Sequence, residues 1–138
     1  MSCVLCDAPE SVGTIVFDDG RVIVLLHDDW AVAGHALVIA RQHVQNASDL
    51  DPVDAAHFWE IYARAERAVL AAANAERAMM LKLGIQVPHL HVHIYPVAAT
   101  AGRAAVFDAF DGKPESTLTE AQREAFVDSV RRKFGTSE

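Results

Sequence analysis

The sequence predicts an α+β fold, an antiparallel sheet of about five strands with one long helix and a C-terminal helix, in a single domain spanning residues 1–138. Three observations carry this. Short β-branched and apolar runs broken by turn residues fill the first forty positions, a stripe of apolar residues at steps of three and four follows residue 51, and a later segment alternates histidine with apolar residues. Period two marks an extended segment, whereas steps of three and four mark one face of a helix. At 138 residues, 51% hydrophobic and 22% charged, the chain suits one compact domain with a real core.

Residues 14–17 and 21–26 are the first two runs, and Asp18-Asp19-Gly20 between them carries the Asp-Gly signal of a tight hairpin. Residues 36–40 form a third strand, opened by Gly34-His35 and closed by Arg41-Gln42-His43, so that functional groups flank a buried run. Asp51 then caps a helix with Pro52 at its first position, where the missing N–H costs nothing. Ala55, Phe58, Tyr62, Ala65, Val69 and Ala72 form its buried stripe, and Trp59 within it is expected to be buried.

Residues 78–83 read as a strand, 84–88 as a loop and 89–95 as the strand that carries the histidines. After Pro96 the small, weakly patterned residues 98–105 read as irregular, with a turn at Asp111-Gly112. Thr119 and Gln122 form a capping box for the last helix, whose inner face is Val127, Val130 and Phe134. Arg131, Arg132 and Lys133 complement the negative end of its dipole.

The net charge of −7 and pI near 5.4 oppose a surface for nucleic-acid polymers, which need Lys and Arg to neutralise phosphates. A small-molecule nucleotide remains compatible with this charge. No apolar run is long enough to span a bilayer and no targeting segment opens the chain, so the expectation is a cytoplasmic protein without membrane partners.

Three of the seven histidines fall at 89, 91 and 93, interleaved with Leu90 and Val92. In a strand all three share one face. Such a row supports three readings: a metal site, a histidine nucleophile toward phosphorus, or three satisfied histidines with no chemistry.

The stretch Val87-Pro88-His89-Leu90-His91-Val92-His93-Ile94-Tyr95 resembles the signature of the histidine triad family of nucleotide-binding hydrolases and transferases. Gly34-His35-Ala36-Leu37-Val38-Ile39, the trailing Gln42-His43-Val44, and Leu26-His27-Asp28 extend the likeness over roughly residues 3–96, leaving the C-terminal third uninformative. The resemblance implies that His91 attacks the α-phosphate of a purine nucleotide derivative, such as a phosphoramidate, dinucleoside polyphosphate or adenylate. A covalent nucleotidyl-histidine forms and is then hydrolysed, with no cofactor required for that chemistry. It further implies that the carbonyl of His89 holds one nitrogen of His91, and that His35 and His93 contact phosphate. For His35 a buried strand-entry histidine is the alternative. Asp28 is the candidate ribose acceptor, with Asp29 or a solvated carboxylate as alternatives, and Trp30 is a candidate wall of a base pocket. His27 and His57 receive no part. Relatives commonly pair, so a homodimer is expected.

Cys3 and Cys6 are the only cysteines, and Cys-x-x-Cys in a cytosolic chain suits metal binding or redox chemistry. Some bacterial members of the family complete such a site with the residues that correspond here to His43 and His89. That resemblance implies a structural zinc site of Cys3, Cys6, His43 and His89.

One departure stands out. Where many members carry Gln and then Ser or Thr ahead of the triad, this chain has Ile85 and Gln86. Ile85 donates no hydrogen bond, which leaves phosphate positioning to Gln86, and it keeps open a nucleotide-binding or adaptor module with negligible turnover.

Overall fold

Five antiparallel strands form the frame on which the histidines are mounted: β1 (Gly13–Asp18), β2 (Val22–His27), β3 (Ala36–Ala40), β4 (Arg77–Leu81) and β5 (His91–Val97). They lie in the order β1-β2-β3-β5-β4. Among the described residues, four α-helices accompany them: α1 (Val4–Asp7), α2 (Pro52–Ala73), α3 (Arg103–Phe110) and α4 (Glu120–Gly135). The computed structural model describes residues 3–135.

Local chemistry sets the turns. In the β1–β2 hairpin Gly20 adopts φ +86°, and the carboxylates of Asp18 and Asp19 accept the N–H groups of Gly20, Arg21 and Val22 at 2.8–3.0 Å. α2 begins as its sequence requires, with Asp51 accepting the Asp54 N–H at 2.9 Å, and ends on Asn74 in the left-handed region at φ 53°. The Thr119 hydroxyl and the Gln122 amide exchange hydrogen bonds with each other's backbone N–H at 3.1 and 2.8 Å, so α4 starts with the expected capping box.

The sheet buries both faces. On one, Val24, Leu26, Val38, Val92 and Ile94 meet Phe58, Ile61, Ala65 and Val69 of α2, with Val130 and Phe134 of α4. On the other, Ile23, Leu25, Leu37 and Ile39 pack with Leu5 and are flanked by Cys3, Val12, Ile15 and Val87. β3 is covered on both sides, which is why residues 36–40 read as a continuous apolar run rather than an alternation.

Several expectations need correction. β4 starts at Arg77 and stops at Leu81, and β5 starts at His91, so His89 precedes the strand that carries the other two histidines. The stretch expected to be irregular contains the start of α3, because alanine favours helix even where no apolar stripe announces it. Trp59 is 38% exposed rather than buried, since the inward face of α2 runs through Phe58 and Ile61 and leaves Trp59 edge-on to Tyr62 at 5.4 Å. Arg131 donates to the Ile15 carbonyl at 2.9 Å, tying α4 to β1, while Arg132 and Lys133 lie in the last turn. Among the described residues, no helix is long and apolar enough to cross a membrane.

Candidate active site and metal centre

Strand register decides which way the histidines face. His91 pairs with Ile39 and His93 with Leu37. Leu37 and Ile39 point away from α2, and so do His91 and His93, with Tyr95 next on the same side. His91 is fixed by its own neighbour: its Nδ1–H donates to the His89 carbonyl at 2.6 Å, which leaves Nε2 with the lone pair.

His35 reaches the same face through Gly34, whose φ of +90° and close approach to Pro96 and Phe126, 2.9 and 3.0 Å from where a Cβ would sit, exclude larger residues. The His35 ring is 5% exposed and lies between His27 and Tyr95, with centroids 4.6 and 4.2 Å away. Its Nε2 shares a proton with His93 Nδ1 across 2.8 Å. Burial, reinforced by His27 and His93, pushes His35 down to about 2. Burial and the neighbouring His91 and His27 push His93 down to about 4. Both rings are therefore neutral at pH 7.

Two members of this cluster were not singled out from the sequence. His27, the last residue of β2, stacks on His35, and its Nδ1 accepts the Asp29 N–H at 2.9 Å. Burial holds it below the ordinary imidazole range against the opposing pull of Asp29 and Asp28. Tyr95 is pushed up to about 12 by burial and by the carboxylates of Asp29 and Asp111. Strand parity could have found both: 27 follows Ile23 and Leu25, and 95 follows the two histidines.

The other candidates disperse. Asp28 is exposed, with its N–H on the Val12 carbonyl at 3.1 Å, and Asp29 accepts from the Ala31 N–H at 2.9 Å. Trp30 turns to α4, edge-on to Phe126 at 5.6 Å with the Arg123 guanidinium 5.6 Å from its centroid. Gln86 is exposed, and His57 pairs with Asp19 at 2.6 Å.

His89 belongs to a second group. Its backbone is anchored beside the exit of β3, where the Leu90 N–H donates to Val44 at 2.7 Å and the Ala40 N–H to Leu90 at 3.2 Å. Its ring is 1% exposed and turned toward Cys3, Cys6 and His43. His89 Nδ1 lies 3.5 Å from the Cys3 sulfur, 3.4 Å from the Cys6 sulfur and 3.2 Å from His43 Nδ1, and the Cys6 sulfur is 3.2 Å from His43 Nδ1. The four ligand atoms all fall within 4.8 Å of one another.

Tetrahedral zinc bonds of about 2.05 Å to nitrogen and 2.3 Å to sulfur imply ligand separations of roughly 3.3 Å between nitrogens and 3.6 Å between nitrogen and sulfur. The His43–His89 separation and the three nitrogen–sulfur separations of 3.2–3.5 Å lie close to those values. His89 Nε2–H donates to the Ala40 carbonyl at 2.6 Å, which turns the Nδ1 lone pair inward as a metal ligand requires. The alternative in which His89, His91 and His93 hold one ion does not fit, because both ring nitrogens of His89 are engaged away from the other two, Nδ1 toward Cys3, Cys6 and His43 and Nε2 on the Ala40 carbonyl.

The HIT domain family has a model that matches residues 8–99. The chain is also similar in fold to solved structures. A hypothetical histidine triad nucleotide-binding protein from Sulfolobus tokodaii aligns with a TM-score of 0.73 at 23% identity, covering 97% of this chain and 93% of that one. A histidine triad protein from Sinorhizobium meliloti gives 0.74 at 20% identity, with 96% and 97% covered. One from Bradyrhizobium japonicum gives 0.72 at 22%, with 96% and 98% covered.

Proposed function

We propose, from the premise that this chain belongs to the HIT domain family, that it is a nucleotide hydrolase or nucleotidyl transferase acting at the α-phosphate of a purine nucleotide derivative. In the first step a P–N bond forms from His91 Nε2 while the bond from phosphorus to the leaving group breaks, and the departing atom takes a proton. Water then cleaves the P–N bond, releasing the nucleoside monophosphate and restoring the free imidazole.

The observation that carries this reading is the 2.6 Å bond from His91 Nδ1 to the His89 carbonyl, which fixes the tautomer a nucleophile needs. The neighbouring rings suit the charge that develops. With the shared proton on His35 Nε2, neutral His93 carries its own N–H on Nε2, a donor for a phosphate oxygen. Asp28, beside His27, is the proposed ribose acceptor, with Asp29 the alternative. Gln86 is the remaining polar group for phosphate positioning in its loop, and Trp30 would reach a base only by leaving Phe126.

Intact-mass spectrometry after brief mixing with an adenosine phosphoramidate tests the proposal. An adduct of nucleoside monophosphate mass, absent from His91→Ala, is the expected result. Absence of both adduct and turnover would overturn it in favour of a nucleotide-binding module, the reading that the exposed apolar Ile85 favours.

The Cys2His2 cluster is proposed to hold zinc in a structural role, pinning the N-terminal segment to the sheet beside β5, and no step of the reaction passes through it. The reduced thiols this requires suit a cytoplasmic protein. A homodimer is also proposed. β4 is an edge strand, and Met80 and Trp59, 50% and 38% exposed, lie at that edge and on α2. Sedimentation at the mass of a single chain would exclude it.

A further inference from the structure

We propose that Leu81, Leu83 and Ile85 form an apolar rim for the leaving group, so that the substrates are nucleotides whose departing group is an apolar amine or acyl chain rather than a polyphosphate. The inference rests on the nucleotidyl-transfer reading above and specifies its substrate.

The placement comes from strand register. Leu81 pairs with His93 and Met79 with Tyr95, so both side chains lie on the histidine face, and both are half-buried. Directly opposed residues in such a ladder bring their Cβ atoms to about 5 Å, which puts Leu81 beside the His93 ring. The chain then leaves the sheet after Leu81, opposite His93, and re-enters it at His91, so the loop that carries Leu83 and Ile85 starts and ends beside these two histidines. Val87 anchors it against the Ile23, Leu25, Leu37 and Ile39 cluster. Leu83 and Ile85 remain 58% and 77% exposed, two large apolar side chains in three residues.

Charge points the same way. A polyphosphate leaving group carries several negative charges, and sites that accept one align Lys or Arg with it. The basic residues on the elements around this face are committed elsewhere. Lys82 donates to Asn46 at 2.9 Å, Arg77 to the carbonyls of Ala98 and Ala101 at 3.2 and 2.7 Å, Arg41 pairs with Asp18, and Arg103 lies over the Phe107 ring at 4.7 Å. Asp28 and Asp29 add negative charge beside His27. A phosphoramidate or acyl adenylate asks less of such a site, because its α-phosphate is the only phosphate it brings.

Each methylene removed from water is worth about fourfold, so a six-carbon chain half-covered by this rim gains on the order of 10-fold to 100-fold. The test compares kcat/KM for adenosine 5′-(N-hexyl)phosphoramidate, unsubstituted adenosine 5′-phosphoramidate and diadenosine triphosphate. The hexyl compound should exceed the unsubstituted one at least 10-fold, with the triphosphate last, and Ile85→Gln should shrink the first ratio severalfold. Binding of the same compounds to His91→Ala, measured by calorimetry, should follow the same order.

Turnover with a ratio near one, or a preference for the triphosphate, would overturn the inference and leave the nucleotidyl-transfer reading standing. No turnover with the binding order intact would overturn the nucleotidyl-transfer reading, and the leaving-group role with it, and would leave only a binding rim for apolar groups. Neither turnover nor binding would remove both.

Discussion

The two histidine pairs of this site have similar spacing and opposite chemistry. His35 and His93 approach to 2.8 Å through Nε2 and Nδ1 and share a proton, whereas His43 and His89 bring two Nδ1 atoms to 3.2 Å with two sulfurs alongside. The first is a hydrogen bond, and the second is a convergence of donor atoms that an ion satisfies. Anchoring on opposite nitrogens likewise separates His89 from His91. A backbone carbonyl holds His89 by Nε2 and directs Nδ1 inward, while another holds His91 by Nδ1 and directs Nε2 outward. The same kind of contact, on the other nitrogen, separates a candidate ligand from a candidate nucleophile.

The largest test of this division is His91→Ala, which should lower phosphoramidate turnover by about 10⁴-fold or more with metal content unchanged. A variant that kept turnover would dissolve the assignment of the outward nitrogen. Next, Cys3→Ser with Cys6→Ser should abolish stoichiometric zinc by elemental analysis and lower Tm by on the order of 10 °C, because an ion bound only by the folded chain stabilises it. Retained zinc would move the metal elsewhere.

Acid should act first on the proton-sharing pair. His35 and His93 are held neutral well below the ordinary imidazole value, at about 2 and about 4, so below about pH 6.5 the unfolded chain takes up protons that the folded one refuses. The stability this confers is fully present above pH 6.5 and is lost as pH falls, toward about 4 for His93 and toward about 2 for His35. Each histidine contributes a slope of about 1.4 kcal/mol per pH unit within that window. Denaturant titrations of the metal-free double variant at pH 7 and pH 5 should therefore differ by a few kcal/mol; equal midpoints would show that the rings are protonated in the fold. The smallest effect is that of His27→Ala, which removes one stacked face from His35 and should cost about 1 kcal/mol in the same assay.

Much of the frame was legible because backbone and side chain gave the same message. Asp-Gly at 19–20, Asp51-Pro52 and Thr119 with Gln122 are local devices that work without tertiary help, and each does what its sequence requires. What escaped depended on the fold. Period two alone cannot show that the chain enters β5 only at His91, because the break at His89 is set by its bonds to the exit of β3. α3 carries too weak a stripe to stand out, and the exposure of Trp59 follows from the face that α2 turns to the sheet, which runs through Phe58 and Ile61. The joining of residues 3, 6, 43 and 89 came from family resemblance rather than spacing, and the geometry gives it a physical basis. His27 was within reach of parity but lacked a neighbour that named its purpose.

The bond from His89 Nε2 to the Ala40 carbonyl has a consequence for how such a chain tolerates change. That tether does not involve either sulfur, so a lineage that drifted at positions 3 and 6 would give up two of the four donor atoms while the peptide at 89 kept its grip on the ring of 91. Descendants with and without cysteines could then share one working nucleophile, and the presence of thiols would be a poor guide to which of them turn over substrate.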